Sequence, residues 1–232
     1  MRITVEGIPV EVTKKEIKNL HLYVKPPDGR VTVSAPRGMS DEAIARFVRT
    51  KIEWIKSHRE KFDHQPLKSQ REYVSGETLY VWGKQYLLQV EYGTKNALAL
   101  IGDRAVLTVR KEITAAQRGS FVNEWYRDLL KTEIARRLPR WENITGLHCD
   151  SWQTKNMTTR WGTCNTKKKK IWLNLQLAKK TPVCLEYVIL HELLHLAEKS
   201  HNARFKGLMD QYMPYWRDVK KELNAQFLDF LE

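Results

Sequence analysis

The amino-terminal half of the chain alternates between apolar and polar positions, which predicts β-strands. In a strand, successive side chains point to opposite faces, so one face of the sheet can be buried. Asp28-Gly29 predicts a turn between two of these strands. We recognise no internal repeat in the chain. The predicted strands lie at 8–12, 20–24, 31–33, 79–82, 86–92 and 105–109.

Helical periodicity first appears in a segment that Ser40 can cap. Its apolar positions predict one helix over 39–60 that packs on the sheet. The polar segment 61–78 predicts a connector. A longer amphipathic helix is predicted from apolar positions between 122 and 138, and it reaches Pro139.

These patterns predict an α+β fold with two regions. The amino-terminal region, 1–112, is β-rich and contains the packed helix and the polar connector. The carboxy-terminal region, 113–232, is mainly helical and contains a small sheet, which strand patterns at 147–152 and 171–174 predict. A chain of 232 residues can bury a hydrophobic core as one large or two small domains.

The most informative motif is HExxH, formed by His191, Glu192 and His195. Histidines at i and i+4 lie on one face of a helix, so both imidazoles can bind one metal ion. Glu192 can then act as general base on a water at that metal. Thr181-Pro182 predicts the start of this helix, and its apolar composition predicts that it is buried. The alternative is that both histidines are structural core residues beside a surface glutamate.

A catalytic zinc usually has three protein ligands, and the candidates for the third are Glu198 and His201. On a straight helix, Glu198 would lie about 10 Å along the axis from His191, too far for the ligands to converge. The polar run 198–202 predicts the end of the helix, after which the chain can turn back and bring His201 to the metal. We therefore predict three ligands for Zn2+: His191, His195 and His201.

The chain resembles the YgjP-like metallopeptidase family of zincins. The resemblance extends over nearly the whole chain and implies a zincin-like catalytic region, with three histidine ligands and Glu192 as the catalytic base. It implies no particular substrate. The likeness is carried by 26–36 (PPDGRVTVSAP), 160–165 (RWGTCN), 171–174 (IWLN), 187–195 (YVILHELLH), His201 and Phe205.

Zincins commonly bind an extended substrate along an edge strand above the metal helix, and we predict that 171–174 is this edge. Asn174 and Arg160 are predicted to orient the substrate or to stabilise an oxyanion. The alternative for Arg160 is a structural ion pair beside a tight turn formed by Trp161 and Gly162.

The net charge is +13, from 40 basic against 27 acidic residues, and such an excess attracts polyanions. A run of lysines is predicted at a hairpin tip near the site, which suggests contact with nucleic acid. The alternative is that these lysines are merely solvated. The run consists of Lys167, Lys168, Lys169 and Lys170.

Two reactions remain open. The first is zinc-dependent hydrolysis of a peptide or protein, including a protease that acts on DNA-associated proteins. The second is hydrolysis of a nucleoside polyphosphate at its pyrophosphate, with basic side chains holding the phosphates. A non-enzymatic nucleic-acid-binding module is disfavoured, because three ligands beside a glutamate describe an open metal site.

No apolar stretch is long enough to span a membrane, and the start of the chain lacks a signal-peptide core. Three cysteines, an odd number without a CxxC pair, predict free thiols in a reducing compartment and disfavour a cysteine nucleophile. We therefore expect a cytoplasmic protein that does not bind membranes. Nothing in the sequence indicates its oligomeric state. The cysteines are Cys149, Cys164 and Cys184.

Overall fold

A computed structural model describes residues 1–25, 29–63 and 71–225 of the chain. The chain divides into two compact units, Met1–Ser69 and Gln70–Glu232. The boundary lies within the predicted connector and not at residue 112, because the strands after residue 78 pack into the core of the second unit. Asp28 of the predicted turn and 64–70 of the predicted connector lie outside the described residues.

The first unit is a four-stranded sheet followed by two helices. Its strand order is β1-β2-β4-β3, with β2 and β4 parallel and the outer pairs antiparallel. Buried valines on one face of the sheet and buried isoleucines of the helices form its core. The elements are β1 (Arg2–Val5), β2 (Ile8–Lys15), β3 (His21–Lys25), β4 (Arg30–Pro36), α1 (Asp41–Arg49) and α2 (Ile52–Asp63).

The predicted single helix over 39–60 is two helices. Ser40 caps α1 as predicted, since its hydroxyl accepts a hydrogen bond from the backbone N–H of Ala43 at 3.2 Å. At the other end of α1, the hydroxyl of Thr50 donates to the carbonyl of Phe47 at 2.8 Å. Side-chain bonds of this kind compete with the helical backbone pattern, which is interrupted here before α2 begins.

The second unit contains seven strands and four α-helices within its described residues. A four-stranded sheet comes first, the long helix α3 follows, and a three-stranded sheet precedes the last three α-helices. These elements share one hydrophobic core. They are β5 (Thr78–Val81), β6 (Lys84–Tyr92), β7 (Ala97–Ile101), β8 (Arg104–Val109), α3 (Ala115–Thr145), β9 (Ser151–Lys155), β10 (Gly162–Asn165), β11 (Lys170–Asn174), a 3₁₀ helix (Leu175–Lys179), α4 (Pro182–Leu194), α5 (Ala203–Tyr212) and α6 (Trp216–Ala225).

The two four-stranded sheets repeat one topology, although we recognise no repeat in the sequence. The second sheet has the order β5-β6-β8-β7, and its pairs are parallel and antiparallel in the same places as in the first. The first hairpins turn alike, with φ of 47° and 77° at Glu6-Gly7 and 50° and 81° at Trp82-Gly83. Positive φ at both central residues gives a turn whose twist matches that of the strands.

The long helix α3 continues beyond Pro139, where we expected it to end. Proline removes one backbone donor but does not force the chain to leave the helix when packing holds it. Here Leu138 and Trp141, on either side of the proline, are both buried in the core. The helix ends only at Gly146, which adopts φ of 69°.

The three-stranded sheet corrects the prediction that 171–174 is an edge strand. Its order is β10-β11-β9, so β11 is the central strand, antiparallel to β10 and parallel to β9. Among the described residues, β10 is an edge strand of this sheet and lies next to α4. This strand was not predicted from the sequence. The predicted hairpin tip is confirmed, because Lys167 to Lys169 form the turn between β10 and β11.

The mixed α+β class is confirmed. Among the helices of the described residues, none combines the length and the apolar character that crossing a membrane requires.

Candidate metal centre

The buried helix α4 presents His191 and His195 on one face. Pro182 is its first residue, as predicted, but the hydroxyl of Thr181 makes no cap and instead donates to Glu222 Oε1 at 2.6 Å. Spacing of four residues sets the two imidazole rings 4.9 Å apart, centroid to centroid. The apolar residues on the other faces of α4 are buried in the core of the second unit.

The chain turns back immediately after α4 and brings a third histidine to the pair. The helix ends at Leu194, whose carbonyl accepts from the N–H of Glu198 at 2.9 Å. His201 follows this turn, and its Nε2 lies 2.9 Å from Nε2 of His191. One ligand atom from each of His191, His195 and His201 lies within 4.8 Å of the others.

Glu198 contacts the histidine cluster through its backbone and not through its carboxylate. Its carbonyl oxygen lies 3.0 Å from Nδ1 of His195. Because a carbonyl only accepts, Nδ1 carries the proton, and Nε2 of His195 keeps a lone pair for a metal. The carboxylate of Glu198 accepts from the N–H and hydroxyl of Ser200 at 3.3 and 3.1 Å, which holds the turn that leads to His201.

Phe205 forms the apolar base of the cluster. Asn202 caps α5, with its side chain accepting from the N–H of Phe205 at 3.0 Å. The ring of Phe205, which is buried, lies 4.8 to 5.0 Å from each of the three imidazole centroids. His201 is exposed, so the cluster is closed on the phenylalanine side and open on the other.

The three imidazoles fit a zinc ion. Burial, followed by the nearby His195 and His201, lowers the pKa of His191 to about 3. Partial desolvation by its neighbours, followed by the nearby His195, also lowers the pKa of His201. Both rings are therefore neutral near pH 7, with nitrogen lone pairs that can bind a metal. Three histidine nitrogens are a donor set that zinc favours.

Glu192 points into the same site from a buried position. Its side chain is 4% exposed, and burial raises its pKa to about 8 against the opposing effect of the Arg160 charge. A Cβ on Gly162 would lie 2.6 Å from Oε1 of Glu192 and 2.8 Å from its Cγ. The glutamate therefore packs directly on the glycine backbone of β10, which leaves no space for a larger residue there.

A cavity of about 680 Å³ opens above the histidines. This volume is within the range of small-molecule and peptide sites. Arg160 is exposed and lines the cavity, and among the residues that the structure describes no ion pair holds it. Other residues that line the cavity include Gly162, Thr163, Cys164, Tyr187, Glu192, Lys199, Lys206, Trp216 and Lys220.

The structure does not bring Asn174 to this cavity. The residue is fully buried, and its Nδ2 donates to the carbonyls of Met157 and Arg160 at 2.8 and 2.7 Å. Its Oδ1 accepts from the N–H groups of Met157 and Gln176 at 3.3 and 3.2 Å. Asn174 therefore holds the loop that carries Arg160, a function that its place at a strand end did not reveal.

Several residues that line the cavity were not predicted from the sequence. Tyr187 lies four residues before His191 on the same face of α4, a spacing that could have indicated it. Trp216 and Lys220 lie on α6, which was not predicted, and the ring of Trp216 stacks on Tyr187 with centroids 6.4 Å apart.

Comparison with known proteins gives one match to a family and several to structures. The chain is similar to the metallopeptidase zymogen abylysin of Pyrococcus abyssi, with 15% identity, 40% of this chain and 93% of that chain covered, and a TM-score of 0.38. It is also similar to the metallopeptidase zymogen jannalysin of Methanocaldococcus jannaschii, with 22% identity, 43% and 97% coverage, and a TM-score of 0.35. No curated protein matches it. Residues 18–226 match the family described as YgjP-like, metallopeptidase domain. The chain therefore belongs to the YgjP-like metallopeptidase family, whose members are metal-dependent hydrolases.

Proposed function

We propose that the protein is a zinc-dependent peptidase in which Glu192 is the general base. The observation that carries the proposal is the position of its buried carboxylate, which lines the same cavity as the three histidines. Zinc bound by His191, His195 and His201 would supply Lewis acidity toward the scissile carbonyl and the attacking water. In its ionised form, Glu192 takes the proton from that water and passes it to the leaving amine.

The free edge of β10 supports binding of an extended peptide. Its backbone groups on that side have no partner strand among the described residues, and Gly162, Thr163 and Cys164 of this strand line the cavity. A peptide added to such an edge is held by main-chain hydrogen bonds. Arg160, in the loop just before β10, orients the substrate, and Asn174 keeps that loop in place.

The charge of the site supports one other reaction and one class of protein substrate. Basic side chains in the cavity also suit the phosphates of a nucleoside polyphosphate. The exposed Lys167 to Lys169 lie at the end of the hairpin that contains β10, which would suit a protease acting on DNA-associated proteins. Three free thiols keep the cytoplasm as the expected location.

Hydrolysis assays on the metal-loaded protein distinguish these functions. A peptide library and a nucleotide panel are incubated with wild type and with Glu192→Gln as the blank. We expect peptide cleavage that requires zinc and is absent in the variant. Cleavage of nucleotides alone would overturn the peptidase proposal, and peptide cleavage strongly stimulated by DNA would favour the DNA-associated protease.

A further inference from the structure

The cavity above the histidines is lined by positive charge. Its cationic side chains belong to Arg160, Lys199, Lys206 and Lys220, whereas Glu192 is its one acidic lining residue among those described. All four cations are exposed, and within the described part of the chain no ion pair neutralises any of them. A bound ligand therefore meets these charges without displacing an internal partner.

The four cations come from different elements that surround the metal ligands. Arg160 precedes β10, Lys199 lies in the turn between α4 and α5, Lys206 lies on α5, and Lys220 lies on α6. Their placement is therefore a property of the folded site and not of one basic segment. Clefts lined by one sign of charge concentrate ligands of the opposite sign.

Lys220 is linked to the metal site by a series of ring contacts. Its ammonium lies 5.8 Å from the centroid of Trp216. Trp216 stacks on Tyr187, with an interplanar angle of 4°, and Tyr187 lies 5.7 Å from His191 between ring centroids. These aromatic contacts limit where the lysine can extend and keep its charge at the wall of the cavity.

We propose that the enzyme prefers peptides with acidic side chains beside the scissile bond, held by Lys206, Lys220 and Arg160. This preference rests on the proposed peptidase function. A peptide fits better than a nucleotide because the unpaired edge of β10 binds extended backbone, for which a nucleotide has no equivalent. Exposed charges are screened by salt, so the preference is strongest at low ionic strength.

The test compares kcat/KM for matched peptides in which the residues flanking one cleavage site are Glu, Gln or Lys. We expect the Glu peptide to exceed the Gln peptide by about fivefold at low salt, because a few partly exposed charge pairs contribute this much. Raising the ionic strength should lower kcat/KM for the Glu peptide and leave that for the Gln peptide nearly unchanged. This salt comparison needs only the wild-type protein.

Matched variants then separate local charge from overall charge. Lys206→Gln/Lys220→Gln should bring the ratio of Glu to Gln peptide to about twofold or less, since fewer pairs remain. The control Lys95→Gln/Lys111→Gln changes net charge equally at exposed lysines outside the cavity lining. It should keep the wild-type ratio.

The outcomes distinguish this inference from the function on which it rests. Equal rates for the Glu and Gln peptides would overturn the acidic preference while leaving the peptidase function intact. An equal loss of preference in both double variants would also overturn it, because net charge alone would then explain the effect. Hydrolysis of nucleotides with no cleavage of any peptide would overturn both.

Discussion

The backbone of Gly162 contacts the carboxylate of Glu192 so closely that one added methyl group would lie 2.6 Å from Oε1. The same methyl would lie 2.8 and 2.9 Å from Cγ and Cδ of the glutamate. Because Glu192 is buried and its helix is packed in the core, the side chain cannot move aside without changing its direction. Gly162 therefore fixes the position of the proposed base.

Gly162→Ala should lower kcat by at least about tenfold, because small displacements of a general base are costly in rate. Zinc content should stay close to one ion per chain, since no ligand is changed. The matched control is Gly207→Ala on α5, where an added Cβ meets nothing within 4 Å. Equal activity of the two variants would show that the contact with Gly162 does not position Glu192.

The assignment of the third ligand predicts a large difference between two alanine variants. His201→Ala should weaken zinc binding by more than about 100-fold, because it removes a nitrogen that binds the metal. Glu198→Ala should weaken it by less than about tenfold, since the carbonyl that contacts His195 remains. Competition with a chromophoric zinc chelator measures both affinities. The reverse order of affinities would make Glu198 the ligand.

Asn174→Ala should lower the free energy of unfolding by about 3 kcal/mol, because several buried backbone groups lose their partner. Urea unfolding measures this, with exposed Gln153→Ala on β9 as a control that should change stability by less than about 0.5 kcal/mol. Arg160→Ala should leave stability almost unchanged and lower kcat/KM. Loss of activity without loss of stability in Asn174→Ala would instead favour direct contact of Asn174 with substrate.

The three thiols should react slowly in the folded protein. Burial raises the pKa of Cys149 and Cys184 to about 11 and that of Cys164 to about 12. Only the thiolate is nucleophilic, so at pH 8 alkylation by iodoacetamide should be about 100-fold slower than in urea, and it should accelerate as pH rises toward 11. Rapid alkylation of Cys164 at pH 7 would instead support the hypothesis that this residue is a nucleophile in the cavity.

The arrangement of the three histidines was predictable because its geometry is local. Helical periodicity fixes the relative position of His191 and His195, and the polar run after them indicates where the chain can turn. Capping of α5 by Asn202 likewise depends only on residues that are close in sequence. Such features depend on a few successive dihedral angles and on no distant partner.

The edge strand and the repeat were not predictable in the same way because they depend on pairing between distant segments. All four residues of β10 are half-buried, so the strand lacks the alternation by which strands are recognised. In the order β10-β11-β9, the central strand pairs with β10 on one side and with the earlier β9 on the other, which no local pattern specifies. The two repeated sheets share turn conformations, such as those at Gly7 and Gly83, but little else that a pattern reveals.

The most direct test of the account is turnover of Glu192→Gln with its zinc content measured on the same sample. The substitution keeps the shape of the side chain and removes the base, so we predict full zinc occupancy and a loss in kcat of about 100-fold to 10,000-fold. Zinc bound with wild-type turnover of the peptide would contradict the role proposed for Glu192.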